Sequence, residues 1–198
     1  AIGSGALDAI TTQGTNVAIG TSTLGGASNT ASDNTGVGYA VLLANTSGDN
    51  NTGVGVNAMQ ANTTGSDNVG VGRNSLIANT TGNYNTAVGS QALDANTTAN
   101  SNTAVGSIAL TANTTGAANV AVGRSALSAN TTASYNVAVG EGTLESTTDG
   151  AENTAIGNKA LNKNTGNNNT AVGAECMKAT TSGTQNTAIG KAAMITMT

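Results

Sequence analysis

Followed as a pattern of hydrophobic and polar positions, the chain repeats itself. An Asn is followed by Thr or Val, then Ala or Gly, then Val or Ile, then Gly. Four residues past that Gly stands a Leu or Met. Units begin at Asn16, Asn34, Asn51, Asn68, Asn85, Asn102, Asn119, Asn136, Asn153, Asn169 and Asn186, after a partial unit over residues 1–15. The spacing is 17 residues except for one interval of 18 and one of 16. The long interval holds Gly25-Gly26 and the short one Asn164-Thr165-Gly166, so length varies in the second half of the unit and not in its Asn-to-Leu half. Fixed self-similarity of this kind marks a repeat architecture, so the whole chain, 1–198, is read as one repeat domain.

Residues two apart in an extended segment share a face, so Thr/Val and Val/Ile lie on one side and Ala/Gly on the other. β-branched residues and recurrent Gly argue against a helix. The pattern predicts an all-β parallel β-solenoid of about twelve 17-residue coils, each with two short strands and two turns. The first strand falls in the Asn-to-Gly half and the second in Ala-Leu-x-Ala-Asn-Thr. Coils stacked at the usual strand spacing make a rod roughly 55 Å long.

Each column of the repeat then has an expected task. Val54, Val71, Val88, Val105, Val122 and Val139, with Leu76, Leu93, Leu110 and Leu127, form the interior ladder. The Asn column stacks its amides in register, as Asn ladders do in cross-β structures. The invariant Gly supplies a turn that no side chain allows. Gly53, Gly70, Ala87, Ala104, Ala121 and Ala138 are expected to face outward, small because another chain packs against them. About three apolar side chains per coil leave a lone chain marginal. Neither end carries a polar capping repeat of the kind an isolated solenoid needs. Both points favour oligomerisation and a piece of a longer fibre.

The motif Asn-Thr-Ala-Val-Gly-x-x-Ala-Leu, as at Asn85–Leu93 and Asn102–Leu110, resembles the head repeats of YadA-type trimeric autotransporter adhesins and similar repeats in bacteriophage tail fibres. The likeness runs from Ala1 to Met194. It implies a left-handed β-roll, three chains side by side, in a rigid extracellular shaft or head with the Val/Ile residues facing inward. Adhesin heads mostly have shorter coils than the 17-residue unit of this chain.

Composition narrows the function. Charged residues are 8% and aromatics 2%, and there is no His, Pro, Phe or Trp. A net charge of −4 offers no basic face for nucleic acid, and no apolar run is long enough to insert in a membrane. Without His there is no Ser/His/Asp or Cys/His set, and metal or cofactor chemistry lacks ligands. Cys176 sits where other units have Ala, as a small buried residue. Asn62-Thr63-Thr64 and its copies match a glycosylation acceptor only because the repeat recurs. Glu141, Glu145 and Glu152 read as a solvated charge group. The expected function is therefore non-enzymatic: a structural or adhesive segment of a trimeric extracellular fibre, on a virion or a bacterial surface, with a host glycan or protein as its further partner. Arg73, Arg124, Tyr84 and Tyr135 are the candidate surface contacts. The alternative is an ice-binding solenoid using Thr ladders such as Thr63-Thr64, Thr80-Thr81 and Thr97-Thr98.

Overall fold

The computed structural model describes residues 1–8, 14–26 and 30–195. Its elements are eleven parallel strands: β1 (Val17–Ile19), β2 (Thr35–Tyr39), β3 (Thr52–Val56), β4 (Val69–Val71), β5 (Thr86–Val88), β6 (Thr103–Val105), β7 (Val120–Val122), β8 (Val137–Val139), β9 (Thr154–Ile156), β10 (Thr170–Val172) and β11 (Thr187–Ile189). They form one sheet in sequence order. Every strand begins one residue after an Asn that starts a repeat. The register is equally regular, with Ala87 opposite Ala104 and Val88 opposite Val105. The fold is a β-solenoid of about ten turns, and the described residues contain no helix.

Each turn carries one strand, not the two that the pattern predicts. The second half of the repeat stacks through backbone bonds, for example Leu76 N–H to Ala92 O at 3.0 Å and Thr80 N–H to Thr97 O at 2.8 Å. It is not extended, however. Three positions per repeat are left-handed, as at Gln91 (φ 56°), Leu93 (φ 54°) and Ser101 (φ 61°). A backbone that reverses hand at the Leu cannot run on as a strand. The first half ends for the same reason: the invariant Gly, such as Gly89 at φ 137°, lies in a region that L side chains rarely adopt.

The alternation of faces is as expected, but the two sides of the strand are exchanged. Ala87, Ala104, Ala121 and Ala138 are fully buried, and Gly53 and Gly70 lie inside with them. The column expected to meet another chain is thus the interior wall of the strand. Val54, Val71, Val88, Val105, Val122 and Val139, expected in the core, point outward and are only half-buried. The reason is space. The interior is already filled by Leu76, Leu93, Leu110 and Leu127, all fully buried, and by the residue before each Leu. A methyl is the largest group the strand can add: a Cβ at Gly36 would collide with Thr23, and one at Gly53 with Val41. Where the residue before the Leu is Ala, as at Ala92 and Ala109, the strand has Ala too.

The rest of the interior is polar, and it is built from amides. The starting Asn forms one ladder: Asn85 N–H donates to Asn68 Oδ1 at 2.9 Å, and Asn102 N–H to Asn85 Oδ1 at 3.0 Å. A second buried Asn, eleven residues on, forms another: Asn79 Nδ2 donates to Asn62 Oδ1 at 2.8 Å, and Asn96 Nδ2 to Asn79 Oδ1 at 2.9 Å. The two ladders meet on one carbonyl per turn, since Asn68 and Asn79 both donate to Gly82 O. Buried amides satisfied in this way avoid the ~1–3 kcal/mol that an orphaned donor or acceptor costs.

Candidate functional site

Turning the strand so that Ala/Gly faces in leaves Thr/Val and Val/Ile on the outer face. Eleven strands each present one such pair, from Val17 and Ile19 to Thr187 and Ile189. None of these positions is charged, and the hydroxyl of Thr is the most polar group among them. At the usual sheet spacing the ten steps from β1 to β11 span about 48 Å, with the two columns ~7 Å apart. The strip is therefore on the order of 400 Å² of continuous, nearly apolar surface, a size at which exposed patches on a lone chain begin to mark interaction sites. The sequence reading missed it because it took these β-branched residues for the core.

The four residues expected to contact a partner flank this strip. Tyr84 and Tyr135 immediately precede the Asn of the next strand and stay 64% and 65% exposed. Arg73 and Arg124 follow the Gly at the other end of the strands and are also exposed. The structure does not bring the tyrosines and arginines together, since a whole strand lies between them. Arg124 is committed to an ion pair with Glu141 one turn on. A second pair joins Lys178 to Glu175 at 3.0 Å, and that hydrogen bond and charge hold the Glu175 carboxyl below its ordinary range.

Among the described residues no three His, Cys, Asp or Glu converge on a point that could hold a metal ion. Cys176 is buried, its Sγ 3.3 Å from Ala188 O, and burial pushes the thiol up. The recurring Asn-Thr-Thr acceptors lie inside: Asn62, Asn79, Asn96, Asn113 and Asn130 are fully buried in the second ladder. Their Thr neighbours split. The first Thr bonds down the stack, as Thr63 Oγ1 does to Thr80 O at 2.9 Å, while the second, such as Thr64, is exposed. One exposed Thr column results on that side.

No helix among the described residues is long and apolar enough to cross a membrane. No family model matches the chain, and neither the curated proteins nor the solved structures include one similar to it at a significant level.

Proposed function

We propose that this chain is a stiff segment of an extracellular fibre, assembled from three parallel copies whose outer sheet faces meet along the axis. The observation that carries the reading is the uncharged Thr/Val and Val/Ile strip, which runs the whole length of the sheet without interruption. A second copy is the partner whose surface matches that length and that lack of charge. The number three comes from the resemblance of the repeat to trimeric adhesin heads. In this arrangement Val71, Val88, Val105, Val122 and Val139 line the subunit contact, and Gly70, Ala87 and Ala104 remain inside each copy. Tyr84, Tyr135, Arg73 and Arg124 stay at the margins, where a host glycan or protein could reach them. Such a rod serves attachment on a phage tail or a bacterial surface, with no catalysis of its own.

Light scattering tests the assembly. The expected mass is three times the 19.0 kDa chain. Val88→Lys with Val105→Lys places charge in the middle of the strip and is expected to give a folded chain of lower mass. A wild-type chain that is monomeric and folded removes the reading.

One observation favours a second reading. An ice-binding sheet is expected to carry two outward Thr columns spaced by one residue, and the outer face has two columns at that spacing, one with Thr in seven of its eleven positions and the other all Val or Ile. A monomer that shows thermal hysteresis, lost in Val88→Lys with Val105→Lys, would move the assignment to ice binding. A trimer without hysteresis would end that alternative.

A further inference from the structure

The second Asn ladder runs unbroken from Asn45 to Asn130, with Nδ2 to Oδ1 bonds of 2.8–3.2 Å at each step. One turn further on the sequence has Thr147. Thr147 is also fully buried, and its hydroxyl donates to Asn164 O at 2.6 Å, away from the ladder. Asn130 Oδ1 is left buried with no hydrogen-bond partner. The ladder does not resume beyond. Asn164 turns its amide to Gly166 O and its Oδ1 to Gly166 N–H, in the one turn that is a residue short. The next position is Thr180, whose buried Oγ1 is also unpartnered. The hydroxyl ladder of the first Thr column lapses at the same level, after Thr114 Oγ1 bonds Thr131 O, and resumes only where Thr165 Oγ1 donates to Thr181 O at 2.7 Å.

From this coincidence we propose that the rod is two cooperative units joined at a seam between Asn130 and Thr147. The turns after the seam, residues 136–195, open as a block while those from Asn51 to Asn130 stay closed. The seam is partial. The first ladder crosses it, Asn136 N–H donating to Asn119 Oδ1 at 3.0 Å, and so does the sheet, since β7 pairs with β8. The sheet, the first ladder and the backbone bonds of the second half, such as Leu127 N–H to Thr143 O at 3.0 Å, therefore hold the units in line while the two side-chain ladders lapse. Repeat proteins behave as nearest-neighbour chains, so one weak interface is enough to divide cooperativity. Local opening then proceeds at the weaker unit without global unfolding.

Hydrogen exchange read by mass spectrometry, on the chain in its native assembly, tests this. The backbone amides of 136–195 are expected to exchange together, ahead of those of 51–130. Thr147→Asn restores a donor to Asn130 Oδ1 and should slow exchange across 136–195 about tenfold, the worth of one buried bond regained. Fraying from the chain end alone would give a gradient from Ile195 inward that Thr147→Asn leaves unchanged. That result, or uniform exchange along the rod, overturns the proposal. If Thr147→Asn does not fold, Asn96→Thr provides the converse. It should create a second block boundary near Asn79, and the absence of one would count equally against the seam.

Discussion

The smallest decision in this structure is which side of a three-residue strand faces in. Ala104 and Val105 are neighbours, and the smaller one is inside. Ala104→Val should then overpack the interior and destabilise the chain by about 1–3 kcal/mol. Val105→Ala should cost far less in a dissociated chain and act mainly on assembly. Thermal melts of the two variants, taken at low concentration, check the order; the reverse order would return the Val column to the core. Asn96 makes three side-chain bonds: its Nδ2 donates to Asn79 Oδ1 and Ala99 O, and its Oδ1 accepts from Asn113 Nδ2. Asn96→Leu, which takes a donor from Asn79 Oδ1 and Ala99 O and the Oδ1 acceptor from Asn113 Nδ2, is expected to cost about 2–4 kcal/mol in denaturant unfolding. Cys176 adds a pH term. Its thiol is raised by burial, so its contribution is intact below the ordinary thiol range and falls away as pH rises through it. Cys176→Ala should flatten that alkaline decline, and a thiol reagent should modify Cys176 only as the rod unfolds.

At the scale of the element, the sequence carried more than its composition suggests. The strand starts follow directly from the Asn spacing because one Asn per turn fixes the register of the sheet. The parallel solenoid follows from the 17-residue period. The side of the strand was not legible, since alternation separates two faces without saying which one is interior. That depends on the Leu column, which approaches from the far side and leaves room only for a methyl. The missing second strand was equally hidden. Nothing in Gln91, Leu93 or Ser101 as residue types announces a left-handed backbone, which costs an ordinary residue about 1–2 kcal/mol. Stacked neighbours impose it. Ala118, at φ 56°, is one such position and is half-buried, so Ala118→Gly should be neutral to stabilising by up to about 1 kcal/mol. Gly89→Ala should do the opposite, because its Cβ would stand 2.5 Å from Gly106 O as well as force an unfavourable φ. Equilibrium unfolding of both variants decides whether the turn geometry is as rigid as the repeat implies.

For the whole molecule, the same separation between surface and interior sets what the rod can do. Its interior is held by amides and small apolar groups that do not titrate between pH 5 and 8, and its charges are all peripheral. Stability should therefore be nearly flat across that range and little changed by salt, which melts at several ionic strengths would establish. The strip of Val and Thr is likewise indifferent to pH, so an assembly built on it should keep its mass from neutral to mildly acid buffer. The candidate contacts were legible only as exposed residues. Their arrangement at opposite ends of the strands came from the fold.

The register also has a hereditary side. Val88 meets Val105 and Val71 in equivalent ways, one period away in either direction. Recombination in phase between two repeats of the coding sequence from Asn51 to Asn130 would splice strand to strand and ladder to ladder with no new junction to solve. Loss or gain of a unit then changes how far the object reaches and leaves its cross-section alone. Copy number becomes a trait that lineages can vary in single steps, each about one strand spacing in size.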